Sequence, residues 1–165
     1  MTQFLTTTNQ FEHICNAITS VISPALYSAG ISAVHELQHG SVLSNHHGVV
    51  NHWTSAWSGF SLIVNRTTPL HRDWGAAAPF YDLLVSAGTH TECSLHLPDI
   101  GARFRYCPGT AIAISGRVLR HEVSDWCGGE RICCAHFMKD AVHERLGQPR
   151  PSWPLLADYL TLIDT

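Results

Sequence analysis

The sequence predicts a mainly β domain, a sandwich or a jelly roll, with helices flanking it. From Trp53 onward, seven or eight short runs of β-branched and aromatic residues follow one another without helical segments between them. Turns such as Pro108-Gly109 separate the runs, a spacing typical of antiparallel strands packed as two sheets. The runs of strand length cover residues 59–65, 79–86, 91–97, 103–107, 111–115, 118–123 and 131–138.

The N-terminal third of the chain has a helical pattern instead. Apolar side chains recur at helical spacing over residues 9–22, which predicts an amphipathic helix. Ser23 and Pro24 suit the N-cap and the first turn of a second, short helix. A third helical piece is expected over residues 32–39, and it should end at Gly40.

Two further segments complete the predicted organisation. Residues 41–52 are polar and rich in histidine, so we expect a loop there. Ser152 is predicted to cap a last helix, whose apolar stripe consists of Leu155, Leu156, Tyr159, Leu160 and Ile163. Because no repeat or linker interrupts the chain, we expect a single domain over residues 1–165. Its parts are a helical support over 1–52, a jelly-roll core over 53–140 and a C-terminal helical segment over 141–165.

Composition and charge favour a globular protein over a disordered or membrane-spanning one. Of the 165 residues, 45% are hydrophobic and 14% are charged, which indicates a compact globular chain. No apolar run approaches the roughly 20 residues of a membrane span, and the start lacks the pattern of a secretory signal. We therefore expect a nuclear or cytoplasmic monomer that does not contact membranes. The six cysteines form no CxxC pair, so we expect free, reduced thiols.

A possible metal site begins at His71 and Asp73. Two residues two apart in an extended segment point to the same side, so both can share one metal ion. Alone, such a pair is more typical of a surface histidine beside a solvated aspartate. A third ligand must come from a distant strand, and His121 lies at the end of such a run fifty residues later. Two histidines and one carboxylate on one face are the ligand pattern of non-haem Fe(II) oxygenases.

Arg131 follows His121 by ten residues and opens the last predicted strand. A hairpin through residues 126–129 would lay this strand beside the one that carries His121. The guanidinium could then bind the distal carboxylate of a keto acid chelated to the iron. Strand alternation would put Arg131, Cys133, Ala135 and Phe137 on one face, as a wall of the pocket.

A competing metal motif lies in the N-terminal third, where residues 35–39 read HELQH. On a helix, HExxH gives two zinc-binding imidazoles and a general base, as in zinc peptidases. The extension found in one large class of these enzymes fails, because Val42 and Asn45 replace a required Gly and His. An amphipathic helix with two exposed histidines explains the motif better, and the zinc peptidase remains a remote alternative.

From about Trp53 to Trp153 the chain resembles the TET/JBP family of 2-oxoglutarate dioxygenases, particularly its basidiomycete-fungal branch. The stretches that carry the resemblance are NRTTPLHRD, FYDLLVSAG, LPDIGARFRYCPGTAIAISGRVLRH and GERICCAHFMKDAVHERL. The resemblance implies a double-stranded β-helix, the cupin-like jelly roll. It also implies Fe(II), with 2-oxoglutarate and O2 as co-substrates, and DNA with methylated bases as the partner. The expected reaction is oxidation of 5-methylcytosine, or of N6-methyladenine.

The resemblance assigns roles to particular residues. His71, Asp73 and His121 match the iron ligands, which are the catalytic group, and Arg131 matches the residue that binds the co-substrate. Arg66 matches an arginine that contacts 2-oxoglutarate in related enzymes. Three aromatic residues are expected to contact the substrate. Phe137 matches one that stacks on a flipped base, and on looser grounds Trp74 and Tyr81 are neighbours in the pocket.

Two positions depart from the family pattern. Ala76 stands where relatives have a polar residue that reads the base edge, and Lys139 stands where a second polar base contact is expected. A 2-oxoglutarate hydroxylase acting on RNA, a free nucleobase or another small molecule is therefore the alternative function. A jelly-roll binding module without activity is a further alternative.

Four arginines are expected to lie along one phosphate-facing edge of the domain: Arg103, Arg105, Arg117 and Arg120.

Overall fold

The computed structural model describes residues 2–40, 47–153, 155 and 157. The chain divides into two compact units. One comprises Met1–Ala56 and Val142–Thr165, and the other is Trp57–Ala141. None of the helices in the described ranges is long and apolar enough to cross a membrane. The prediction of a single domain remains a prediction.

The first unit is helical. Its helices are α1 (Thr2–Thr7), α2 (Asn9–Ile22), α3 (Pro24–His39) and α4 (His47–Val50). A fifth helix, α5 (Asp140–Arg145), spans the boundary in sequence, and its residues from Val142 onward belong to this unit. Helix α2 has the bounds that the apolar spacing predicts. The last helix predicted from Ser152 falls on residues that, apart from Ser152, Trp153, Leu155 and Ala157, lie outside the described part of the chain.

Helix α3 corrects the prediction of two separate helices after Ser23. The chain remains helical through Gly30, which lies on one buried stripe with Leu26, Ala33 and Val34. A glycine inside a helix costs about 1 kcal/mol relative to alanine, and burial of an apolar stripe of this kind outweighs that cost. The helix ends at Gly40 as predicted, but Ser23 makes no side-chain capping hydrogen bond.

The segment predicted as a loop over residues 41–52 is also corrected in part. Residues 41–46 lie outside the described residues, whereas His47–Val50 form the short helix α4. The amide of Gln38 donates to the carbonyls of Val50 and Trp53, at 3.1 and 3.0 Å, and so holds the end of this segment. Asn16 holds the next residues in the same way, with a 2.8 Å bond to the Thr54 carbonyl.

The second unit is a jelly roll of eight antiparallel strands. They are β1 (Gly59–Val64), β2 (Thr68–His71), β3 (Asp82–Gly88), β4 (Ser94–Leu97), β5 (Ala102–Arg105), β6 (Ala111–Ile114), β7 (His121–Val123) and β8 (Arg131–Phe137). One sheet has the order β1-β8-β3-β6 and the other the order β2-β7-β4-β5. Successive strands largely alternate between the two sheets, which confirms the double-stranded β-helix predicted from the sequence.

The largest differences from the predicted strands are at four places, and one of them is β4, which begins at Ser94 rather than at Thr91. Strand β2 was not predicted, because its short sequence has no alternation of apolar and polar residues. Strand β3 begins at Asp82, since the amide of Phe80 is bonded into a turn with the Ala77 carbonyl. Strand β7 begins at His121, since Val118 is bonded into a turn that starts at Ser115.

Strand β8 does not pair with β7, so the predicted hairpin through residues 126–129 is wrong. Its partners are β1 and β3, in the sheet that faces β7. Residues 124–130 carry the chain from one sheet to the other, with Gly128 and Gly129 at positive φ of 60° and 67°. The predicted alternation holds, because the four residues expected on one face of β8 line the same cavity between the sheets.

The apolar core lies beneath that cavity, between the two sheets. Its buried members are Cys93, Leu95, Leu97, Tyr106, Ile114, Val123 and Cys133. All six cysteines fall within the described residues and are free thiols, as expected. The core therefore depends on apolar packing rather than on cross-links.

Candidate active site

His71, Asp73 and His121 meet at one end of the cavity. Strands β2 and β7 pair so that His71 and His121 are direct partners, and their rings lie 4.2 Å apart. The Asp73 carboxylate lies between them, with 3.5 Å from Oδ1 to Nε2 of His71 and 3.5 Å from Oδ2 to Nε2 of His121. Among the described residues, this is the one group of three potential ligands whose ligating atoms all lie within 4.8 Å of one another.

Backbone carbonyls orient both imidazole rings. Nδ1 of His71 lies 2.8 Å from the Pro69 carbonyl, and Nδ1 of His121 lies 3.1 Å from the Leu119 carbonyl. A carbonyl can only accept, so Nδ1 carries the proton and Nε2 is left as a free ligand. Burial, with a contribution from His71, holds the pKa of His121 below its ordinary value, which keeps this ring neutral. Two neutral imidazoles and a carboxylate fit Fe(II).

The triad opens into a cavity of about 340 Å³, within the range of small-molecule sites. Arg131 lies in its wall with only 1% of its surface exposed. Its Nη1 donates to the Arg66 carbonyl at 2.7 Å, and its Nε has no hydrogen-bond partner among the described residues. A buried guanidinium without a carboxylate partner is costly, so the wall is suited to an anionic ligand.

The other residues predicted for the site do not all line the cavity. Arg66, Phe137 and Trp74 line the cavity, whereas Tyr81 is half-buried and is not among the lining residues. Trp74 is 74% exposed, and the guanidinium carbon of Arg117 lies 4.7 Å from the centroid of its ring. The four arginines expected along one edge differ in their contacts. Arg103 and Arg105 lie on β5, Arg117 contacts Trp74, and Arg120 binds Asp99.

Asp82 is a site residue that the sequence reasoning missed. It begins β3, lines the cavity and is 3% exposed. Its Oδ2 accepts a 3.2 Å hydrogen bond from the Gly116 amide, while Oδ1 has no partner among the described residues. Burial and the neighbouring Asp73 raise the pKa of this carboxyl to about 7, against the lowering effects of the Gly116 amide and Lys139. An aspartate inside an otherwise apolar strand was the signal available in the sequence.

Gly116 connects Asp82 to the triad. Its carbonyl accepts a 2.9 Å bond from the Asp73 amide, and its own amide donates to Asp82. A Cβ at this position would collide with carboxylate oxygens of both aspartates. The chain therefore needs glycine here in order to bring the two carboxylates together.

Asp99, in a 3-10 turn over Pro98–Ile100, was also missed. Its carboxylate accepts bonds from the backbone amide and the guanidinium of Arg120, at 2.8 and 2.7 Å, and from Arg72 at 3.1 Å. The Arg120 hydrogen bonds lower the pKa of Asp99 to about 2. Arg120 precedes His121 and Arg72 lies between His71 and Asp73, so one carboxylate connects the two segments that carry the triad.

The HELQH segment forms no comparable cluster. His35 and His39 lie on one face of α3 with their rings stacked at 4.4 Å, and Nδ1 of His39 contacts the His35 carbonyl at 3.0 Å. No third ligand joins them among the described residues. This geometry does not favour a zinc peptidase.

The Tet_JBP family, described as the oxygenase domain of the 2OGFeDO superfamily, matches residues 1–140. Among solved structures, the chain is similar to NgTET1 in complex with 5mC DNA, with a TM-score of 0.50 and 16% identity over 74% of this chain. It spans 47% of the NgTET1 chain, about half its length. A cupin 2 conserved barrel domain protein from Salinispora arenicola CNS-205 has a TM-score of 0.39 and 17% identity, over 53% of this chain and 68% of its own. Comparison with curated proteins finds no match.

Replacement of Asp99 by alanine should weaken metal binding. Loss of its carboxylate removes the bonds to Arg72 and Arg120, so the segments that carry the three ligands lose one of the connections that hold them together. We expect the dissociation constant for Fe(II) to rise about tenfold, as for other residues that orient ligands without touching the metal. Anaerobic calorimetric titration measures the constant. Asp125→Ala, at an exposed position outside the cavity, is the control, and equal constants for both variants would contradict the role of Asp99.

The Asp82 carboxyl should make the stability of the metal-free protein depend on pH. Its pKa is about 7 in the fold and 3.8 ordinarily, so the folded state binds the proton more tightly. The resulting stabilisation is complete below about pH 4 and is lost as the pH rises through 7. Between pH 5 and pH 8, wild type should lose about 2 kcal/mol of unfolding free energy relative to Asp82→Asn. Urea denaturation in EDTA measures this difference, and parallel curves for the two proteins would disprove the assignment.

Proposed function

The chain belongs to the Tet_JBP family, the oxygenase domain of the 2OGFeDO superfamily, and we propose that it is an Fe(II)- and 2-oxoglutarate-dependent dioxygenase that oxidises methylated bases in DNA. The observation that carries the proposal is the cavity itself. It has a His-Asp-His cluster at one end and a buried arginine, only partly hydrogen-bonded, in its wall. These are the two binding groups that a metal-chelated dicarboxylate requires.

Each group has a separate task in this proposal. His71, Asp73 and His121 would hold Fe(II), and Arg131 would hold the distal carboxylate of 2-oxoglutarate. Bound together, Fe(II), 2-oxoglutarate and O2 supply an oxidant able to hydroxylate a C–H bond. The backbone carbonyls of Pro69 and Leu119 keep the imidazoles in the ligating tautomer. Apolar lining residues exclude water from the reacting atoms: Ile63, Leu84, Val123 and Met138.

Phe137 is the residue proposed to stack on the substrate base. Its ring lines the cavity, and it packs on Gly59, where a Cβ would overlap it. An enzyme that acts on a base must take it out of the duplex, and an aromatic surface offsets part of the cost of unstacking. Arg66 is proposed to contact 2-oxoglutarate, and Trp74 to contact the substrate at the mouth of the cavity.

DNA as the substrate is supported by the family and by the methylated DNA named with NgTET1. We propose that the chain acts on it as a monomer, in the nucleus or cytoplasm. The alternative is a hydroxylase for RNA, a free nucleobase or another small molecule. Ala76 favours that alternative, because it lines the cavity without a polar group where relatives read the base edge.

Anaerobic titration with Fe(II) and 2-oxoglutarate tests the co-substrate site. We expect a weak visible charge-transfer band in wild type and its loss in His121→Ala. Arg131→Gln should raise the 2-oxoglutarate concentration for half-saturation at least about tenfold, since charge-assisted hydrogen bonds are lost. His13→Ala, at an exposed position of α2, is the matched control. A band that persists unchanged in His121→Ala would refute the proposed iron ligands.

Mass spectrometry of nucleosides tests the substrate. Wild type, Fe(II), 2-oxoglutarate and O2 are incubated with duplex oligonucleotides that carry 5-methylcytosine or N6-methyladenine. We expect an oxidised derivative of at least one base, and none with Phe137→Ala above about a tenth of the wild-type yield, since stacking is worth about 1–3 kcal/mol per base. If the iron and 2-oxoglutarate band forms but neither base is oxidised, DNA is not the substrate.

A further inference from the structure

The Asp82 carboxyl is a buried polar group of the cavity that the steps above do not use. It is 3% exposed, it lines the cavity, and its Oδ1 has no hydrogen-bond partner among the described residues. A buried acceptor left unsatisfied destabilises the fold, and native proteins rarely keep one without a reason. A donor on a ligand would remove that cost.

The surroundings of Asp82 do not offer such a donor. It begins β3 and is followed by the apolar residues Leu83 and Leu84, and its strand partner in β6 is Ile114. The Gly116 amide is already engaged with the other oxygen, Oδ2. Lys139 acts on the carboxyl through its charge, and its Nζ lies 4.9 Å from the centroid of the Phe137 ring. Oδ1 is therefore buried and unpaired within the part of the chain that the structure describes.

The position of Asp82 relative to the reacting centre is fixed. Gly116 bonds the Asp73 amide with its carbonyl and the Asp82 carboxylate with its amide. One residue thus connects the carboxylate of the metal site with the carboxylate at the cavity wall. A group hydrogen-bonded to Asp82 would be held at a constant offset from the metal, which is what a residue that selects the substrate needs.

Resting on the proposed oxidation of bases, we propose that Oδ1 of Asp82 accepts a hydrogen bond from the exocyclic amino group of the substrate base. Cytosine and adenine present an amino donor, N4 or N6, where thymine presents the acceptor O4. The site therefore takes methylated cytosine or adenine and rejects thymine. Ala76 provides no polar atom for this purpose, and Asp82 supplies it from β3 instead.

The charge of Asp82 is compatible with this role. A carboxylate oxygen accepts hydrogen bonds, and the Gly116 amide occupies only Oδ2. Thymine would instead place a carbonyl oxygen against the carboxylate, and two acceptors repel each other.

Substrates that differ in the exocyclic group test the proposal without any change to the protein, and 5-methylcytosine and its pyrimidinone analogue differ only in the amino group. Matched duplexes carry 5-methylcytosine, 5-methyl-2-pyrimidinone, which lacks the amino group, N6-methyladenine, or thymine at one position. Mass spectrometry gives kcat/KM for each oxidised base with the wild-type holoenzyme. We expect the pyrimidinone and thymine to react at least about tenfold more slowly than the better amino base. Equal rates for 5-methylcytosine and its pyrimidinone analogue would overturn the role of Asp82.

Variants of the protein test the role of Asp82 directly. Asp82→Asn should lower kcat/KM for the amino base about 10- to 100-fold and reduce the discrimination against the pyrimidinone. Asp125→Asn, at an exposed aspartate outside the cavity, should retain both. Full discrimination in Asp82→Asn would also overturn the proposal. Loss of the iron and 2-oxoglutarate band in wild type would instead overturn the proposed function, and oxidation of thymine with the band intact would overturn the role of Asp82 alone.

Discussion

The pairing of β2 with β7 is the constraint on which the site depends. It sets His71 directly opposite His121, and side chains of direct partners in an antiparallel pair are close enough to share a ligand. Asp73 follows two residues later and is held by the Gly116 carbonyl. Asp99 then connects the residues next to the ligands through Arg72 and Arg120. The three proposed iron ligands are thus positioned by strands and hydrogen bonds in the metal-free protein.

The sequence was sufficient to predict the jelly-roll architecture and the convergence of the site residues. Both predictions depend on the periodicity of side chains along strands. Alternation predicted the face of β8 that carries Arg131, and the spacing of His71, Asp73 and His121 predicted their convergence. It was not sufficient for strand pairing. Gly128 and Gly129 show that the chain turns after β7, but local turn chemistry does not say which sheet the next strand joins. Strand β2 was missed because Pro69 and Leu70 are both exposed, which leaves no alternating pattern.

The residues that escaped sequence reasoning share a physical property. Asp82, Asp99 and Gly116 act through partners distant in the chain, at separations of 34 residues for Asp82 with Gly116 and 27 for Arg72 with Asp99. No local pattern records such a contact. The proposed metal ligands could therefore be predicted from a motif, whereas the residues that support them, and Asp82, become evident only in the folded chain. A change such as Ala76 can be offset from a different strand, here β3.

The topology of the jelly roll also has a kinetic consequence. The residues that pair β2 with β7 are about fifty apart in sequence. The metal site therefore depends on contacts between residues that are distant in sequence, and such contacts form late in folding. In the unfolded chain His71 and Asp73 are close to each other, but His121 is separated from them by a long loop whose closure costs entropy. If these three residues hold iron, as we propose, the ion would bind the folded chain better than the unfolded one. Once bound, it would close that same loop and stabilise the folded state.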